Sequence, residues 1–425
     1  MKHLLVLLCL VFKISFSQTI QLCKLKFDRY LNFNASLNDL VKFDEDAIYL
    51  LDKNGSKEFA IYKHELYYIA SVLENTNDVF QKNFFLKKGI QKFSNRECDS
   101  LHINLNIQKN ITINNSLPLK GFRIAIDPGH FGANLKDAKI EFKYIYFIKD
   151  SLNINDSVKI FESELNFNTA FILKKMLEQK GASVFLTRNQ KNFTSFNCNY
   201  TDWIKTNKLR IIDSLKNENL ISNDHYFKLK NCDEHDFFYD FFRDFELLHR
   251  SQVINEFKPH LSIIIHYNVD EKNDLWLKPS KNNYTMAFIG GAFVADNFDK
   301  IENKINFLRL LCTNQLFKSE TLAGLTVMNF HKNLKIQIAD KNSALYLKDK
   351  CLTTNLPGVF SRNLLLCRTV NSPLVYGESL YQDNEFEITE LMKSDKEIFG
   401  LKTNSRVFLV AKSYFDAIST YLKIK

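Results

Sequence analysis

The chain has 425 residues, is 45% hydrophobic with 38 Phe and 17 Tyr, and carries a formal charge of +9. Such length and apolar content exclude a disordered chain and leave room for more than one domain. The positive charge suits an anionic surface, but Lys and Arg are spread along the sequence with no basic block or RNA-binding signature, which argues against nucleic acid as a partner.

At the start of the chain, Lys2 and His3 precede an apolar run, Leu4 to Phe12, and the small residues Ser15 and Ser17 follow at the spacing of a signal-peptidase site. Residues 1–17 therefore read as a signal peptide, and the protein is expected to be exported, to a periplasm or the extracellular space. The run falls well short of the ~20 apolar residues that span a bilayer, and no later segment is predicted to span one. Cys9 leaves with the signal and no CxxC pair exists, so neither a regular disulfide framework nor a cysteine zinc site is indicated.

Residues 18–118 read as a small α+β region of unknown role. Residues 47–51 and 59–62 are predicted strands joined by the turn Asp52-Lys-Asn-Gly55, and residues 64–73 have helical spacing. The Asn-rich run 104–115 reads as a linker or an edge strand, closed by Pro118.

Beyond Lys120 strands alternate with helices. Residues 122–126 form a short apolar run ended by Asp127-Pro128-Gly129, as a buried strand does. Residues 164–180 place Leu165, Phe167, Ala170, Leu173, Met176 and Leu177 on one helical face, stopped by Gly181. Strands are predicted at 183–186, 261–265 and 373–377, and a last helix at 406–422. A helical stretch runs from Asn189 to Arg250; its Phe237, Phe238, Phe241, Phe242, Phe245 and Leu248 share a face that reads as core packing in preference to a lid or partner surface. The alternation predicts an α/β layer architecture with a largely parallel sheet.

Three predicted strands run into ligand-type residues: FRIAIDPGH into His130, HLSIIIH into His266 and SPLVYGE into Glu378. In a parallel sheet the carboxyl ends of the strands share one edge, where α/β folds place their sites. Glu162 precedes the first helix and belongs at the same edge, although Glu164 rivals it and either could serve as a favourable charge at a helix N-terminus. Two imidazoles and one carboxylate are a catalytic zinc set, and a further carboxylate, here Glu378, would move the proton. Asp127 is expected to orient an imidazole from behind. The remaining histidines, His225, His235, His249, His260 and His331, show no ligand spacing.

The segments FRIAIDPGH, ESELNFNTAFILKKMLEQKGASVFLTR (162–188), LSIIIHYN (261–268) and PLVYGE (373–378) resemble, in order and local spacing, the zinc-dependent N-acetylmuramoyl-L-alanine amidases. The resemblance covers residues 119–425, with insertions at about 131–161, 189–249 and 269–357. It implies a mixed, mostly parallel six-stranded sheet flanked by helices, and one zinc ion. It also implies hydrolysis of the amide joining N-acetylmuramic acid to L-alanine in peptidoglycan. It assigns zinc to His130, Glu162 and His266, selecting Glu162 over Glu164, and the proton shuttle to Glu378. Arg362 and Asn363 are candidates for binding a substrate carboxylate, or for bracing a loop. The chain departs from the family after His130, where residues 131–161 replace a glycine-rich stretch and IEFKYIYFI predicts an extra hairpin beside the site. Other readings of the same residues are a wall-binding or regulatory protein that retains the fold without turnover, and a zinc hydrolase of another amide.

Overall fold

A computed structural model of the chain describes residues 19–99, 116–148, 157–273 and 278–423. The signal-peptide and linker readings, residues 1–17 and 104–115, lie outside them. The chain divides into two compact units, residues 1–108 with 293–314, and residues 109–292 with 315–425.

In the first unit β1 (Val41–Phe43), β2 (Ala47–Leu51) and β3 (Lys57–Tyr62) form an antiparallel sheet. The β2–β3 turn is closed by the Asp52 carboxylate, which accepts from the N–H groups of Asn54 and Ser56, and Gly55 supplies a φ of +80° that other residues resist. Helices Leu66–Asn75 and Ile301–Cys312 pack here. Lys26, buried, donates to the carbonyls of Leu311 (3.0 Å) and Thr313 (2.5 Å), satisfying acceptors that a helix leaves open at its C-terminus.

The second unit is built on a sheet of eight strands. In chain order these are β4 (Arg123–Pro128), β7 (Ser183–Leu186), β8 (Leu261–Asn268), β9 (Tyr284–Gly290), β10 (Gln337–Ile338), β11 (Cys351–Thr353), β12 (Val359–Arg362) and β13 (Leu374–Tyr381). A separate antiparallel pair, β5 (Tyr144–Ile148) and β6 (Ser157–Phe161), is the expected extra hairpin, and β14 (Lys396–Ile398) with β15 (Leu401–Thr403) makes a third small sheet. The spatial order is β11-β12-β9-β13-β8-β4-β7, with β10 beside β9; β9–β13 and β11–β12 are antiparallel and the rest parallel.

This corrects the expected six strands. Residues 269–357, read as an insertion, contribute β9, β10 and β11, and with β12 they widen the sheet beyond β13.

Ala125, Ile264, Met286, Phe288 and Leu374 bury one face of the sheet against Ile254, Leu366 and Cys367. Ile263 and Ile265 turn to the other face by the two-residue period of a strand. Helices Glu162–Gln179, Gln315–Leu334 and Ser405–Tyr421 pack against one another and the sheet. The long helical stretch forms its own aromatic core from Tyr200, Trp203, Phe237, Phe238 and Phe242, joined by Phe131 and Ile140. The predicted phenylalanine face is thus largely core, while Leu248 is exposed.

Candidate metal centre

β4 and β8 are parallel neighbours, with Pro128 opposite Ile265, so His130 follows the end of β4 where His266 stands on β8. Glu378 of β13 is in register with His266, so the two side chains leave the same face of the sheet. Glu162 opens the helix that follows β6 and is almost wholly buried.

Among the described residues, His130, Glu162 and His266 are the one group placed to share a metal ion, each offering one ligand atom within 4.8 Å of the others. Glu162 Oε1 lies 2.9 Å from His266 Nδ1 and 3.3 Å from His130 Nε2. Two ligands bound at ~2.0–2.2 Å to one tetrahedral ion stand roughly 3.3–3.6 Å apart, so this set needs little adjustment to hold a divalent cation. The His266 ring is stacked on Tyr376, with centroids 4.4 Å apart and planes at 6°.

Charge is arranged unevenly among these groups. Burial acts to lower the His130 pKa, but the carboxylates of Glu162 and Glu141 overcome it and raise it to about 9. Burial lowers His266 to about 4, only partly opposed by Glu162. Glu378 moves the other way: burial first, then the negative charge of Glu162, raises it to about 8, against the pull of Lys143, Arg362 and His130. Its Oε2 is buried without a hydrogen-bond partner. A carboxyl so placed can exchange a proton near neutral pH.

Glu164 pairs instead with Lys191 at 2.6 Å, at the surface. Arg362 lies over the adjacent rings of Phe288 and Tyr346, 4.9 and 4.8 Å from their centroids. Asn363 Oδ1 accepts from Arg368 at 3.0 Å, a bond within its own turn. Asp127 hydrogen-bonds neither imidazole, contrary to expectation. Its Oδ1 accepts from Arg250 at 3.1 Å and from the Thr187 hydroxyl.

Sequence reasoning missed four residues around this site. Arg188 and Arg250, both buried, donate to the carbonyls of the Pro128–His130 turn: Arg188 to Pro128 (3.0 Å) and Gly129 (3.2 Å), Arg250 to Pro128 (3.0 Å) and His130 (3.3 Å). Lys143 Nζ stands 3.9 Å from Glu162 Oε2. Glu141 stands behind His130, 3.2 Å from Nδ1. Arg188 ends the LTR of segment 162–188 and Arg250 has an i,i+4 pairing with Glu246, whereas Lys143 and Glu141 left no readable signal.

A family model described as N-acetylmuramoyl-L-alanine amidase matches residues 124–399, a span that includes His130, Glu162, His266 and Glu378. No curated protein matches the chain. Among solved structures it is similar to the CwlD amidase of Clostridioides difficile, solved in complex with the GerS lipoprotein, at 16% identity over 72% of this chain and 100% of that one, with a TM-score of 0.36. It is likewise similar to the N-acetylmuramyl-L-alanine amidase Ami1 of Mycobacterium smegmatis, at 13% identity over 72% and 98% of the two chains, TM-score 0.38. A third is the catalytic domain of CwlV from Bacillus (Paenibacillus) polymyxa var. colistinus, at 16% identity over 72% and 99%, TM-score 0.37.

Proposed function

The chain belongs to the N-acetylmuramoyl-L-alanine amidase family, and we propose on that premise that it is an exported zinc hydrolase of the amide between N-acetylmuramic acid and L-alanine in peptidoglycan. The observation that carries this reading is the meeting of His130, Glu162 and His266 at ligand separations, beside the buried and unpartnered carboxyl of Glu378. His130 Nε2, Glu162 Oε1 and His266 Nδ1 would hold the zinc. When bound, it supplies a Lewis acid for the amide carbonyl and positive charge beside the attacking oxygen.

Glu378 takes the proton from the attacking water and delivers it to the departing amine of L-alanine. Its register with His266 keeps the carboxyl next to the ligand set, and its raised pKa suits both halves of that exchange. Arg362, lying over two aromatic rings, is assigned a carboxylate of the substrate peptide; Asn363 braces the turn that carries it. Residues 119–425 are assigned to the catalytic part and residues 18–118 to an accompanying region. Export rests on the composition of residues 1–17; among the described residues no helix is long and apolar enough to cross a membrane.

The test pairs zinc content with digestion of purified peptidoglycan. The expected result is about one zinc per chain, clearing that a chelator abolishes, and fragments whose masses show intact stem peptides beginning with alanine. In Glu378→Gln zinc remains while hydrolysis falls by roughly 10²-fold or more. Normal turnover in that variant would remove Glu378 from the mechanism.

A further inference from the structure

Glu141 takes no part in the hydrolysis described above, yet its carboxylate is buried against a proposed zinc ligand. It ends the Leu135–Glu141 helix, a few residues after His130. Its Oε1 lies 3.2 Å from His130 Nδ1, and its Oε2 accepts from the backbone N–H groups of Phe131 (3.0 Å) and Gly132 (2.8 Å). These bonds bracket a strained residue: His130 has a φ of +61°, a left-handed conformation that a residue with a Cβ resists. The turn also runs close against the helix, since a Cβ at Gly132 would meet the Ala138 nitrogen at 2.5 Å.

The helix that carries Glu141 is itself held. Phe131 and Ile140 are buried in the core of the long helical stretch. The Tyr239 hydroxyl donates to the Glu141 carbonyl at 3.1 Å, and His235 Nδ1 lies 3.1 Å from the Ile140 carbonyl. The carboxylate is therefore fixed in place before any ligand arrives.

We propose that Glu141 is a positioning residue for His130, an inference that rests on the zinc reading given above. Accepting Nδ1–H at Oε1 selects the tautomer whose Nε2 lone pair faces Glu162. Accepting the next two amides at Oε2 keeps His130 in its left-handed conformation, with the ring aimed into the cluster. Glu141 does not bind the ion, because it stands on the far side of the imidazole from Glu162.

Zinc affinity, measured by competition with a chromophoric chelator, tests this in the full chain. Wild-type binding that His130→Ala abolishes establishes that the titration reads this site. Glu141→Gln is then expected to weaken zinc by roughly 10–100-fold. Tyr239→Phe, which touches the same helix and spares the carboxylate, should stay within about threefold. In the zinc-loaded wild type the His130 Nδ1 proton should give a downfield NMR resonance that shifts or broadens in Glu141→Gln, a signature that a merely structural role would not move. If Glu141→Gln fails to fold, Glu141→Asp, which keeps the charge and shortens its reach, takes its place with the same expectation. Unchanged affinity and an unchanged resonance in the folded variant overturn this proposal alone. Absence of zinc binding in the wild type overturns the zinc reading and this proposal with it.

Discussion

Gly129→Ala isolates the geometry of the ligand set with a single carbon. A Cβ built at Gly129 would lie 2.1 Å from Cε1 of His266, 2.2 Å from Nε2 and 2.7 Å from Nδ1. Carbon atoms in ordinary contact are ~3.5–4.0 Å apart, so the ring would have to retreat by about 1.4 Å or more. It has little room to do so. One face is stacked on Tyr376, and Nδ1 is tied to Glu162 at 2.9 Å. The glycine cannot yield easily either, because its N–H donates to Ile265 at 3.0 Å and its carbonyl accepts from Asn166 at 3.0 Å and from Arg188. Gly129 has no left-handed φ, so alanine brings no backbone penalty and the effect comes from the Cβ alone. Metal–ligand bonds tolerate about ±0.2 Å, several-fold less than the required displacement. Zinc affinity should fall by at least about 10²-fold, beyond the usual effect of losing a group that merely supports a ligand. Overpacking should cost about 1–3 kcal/mol in urea unfolding. Gly324→Ala is the control: its Cβ meets only the flexible end of Leu356, at 2.5 Å, and a helix interior gains about 1 kcal/mol from alanine. Wild-type zinc affinity in Gly129→Ala would refute the placement of His266 in the site.

Arg250→Met should destabilise the chain by about 3–5 kcal/mol, because it strips the buried Asp127 and Glu246 carboxylates of their shared cation; a urea-derived loss below about 1 kcal/mol would show that other groups compensate. His260 gives a pH signature away from the metal. Partial desolvation of its exposed ring first, then the charge of Arg123, lowers its pKa, and Nδ1 must stay unprotonated to accept from the Arg123 N–H at 2.9 Å. With the folded pKa below the unfolded value of about 6.5, the unfolded chain takes up the proton first as pH falls. This contribution to stability is therefore full above that value and is lost on descending towards the folded pKa. Unfolding curves recorded between roughly pH 8 and 5 should show the wild type losing stability relative to His260→Phe; parallel curves would contradict the sign.

The strands that carry chemistry were legible because each is an apolar run that stops at a ligand-type residue, and a parallel sheet gathers such ends at one edge. Spacing alone left Glu162 and Glu164 open. Burial separates them, since the helix turns Glu162 inward and leaves Glu164 to Lys191. The width of the sheet was not legible. β10 and β11 have two and three residues, too few for a period to register, and β9 lies in a stretch with no motif to mark it. Glu141 was hidden for a different reason. In LKDAKIEFK it is one charge among several, and its role arises only when the turn after β4 folds back over it.

That turn ties the Leu135–Glu141 helix to the long helical stretch, two segments that look independent in sequence. His130 itself occupies the left-handed conformation there, so the strain of a residue with a Cβ has to be held by what surrounds the turn. Glu141 holds it by hydrogen bonds, and the turn and the helix bearing Glu141 are anchored by burying Phe131 and Ile140 among Tyr200, Phe238 and Phe242 of the long helical stretch. Removing residues 189–249 would leave Phe131 and Ile140 without their core and the carboxylate without a fixed position. Removing the Leu135–Glu141 helix would leave His130 strained and its imidazole free to take either tautomer. The long helical stretch therefore supports the cluster of His130, Glu162 and His266 through packing, and none of its residues belongs to that cluster.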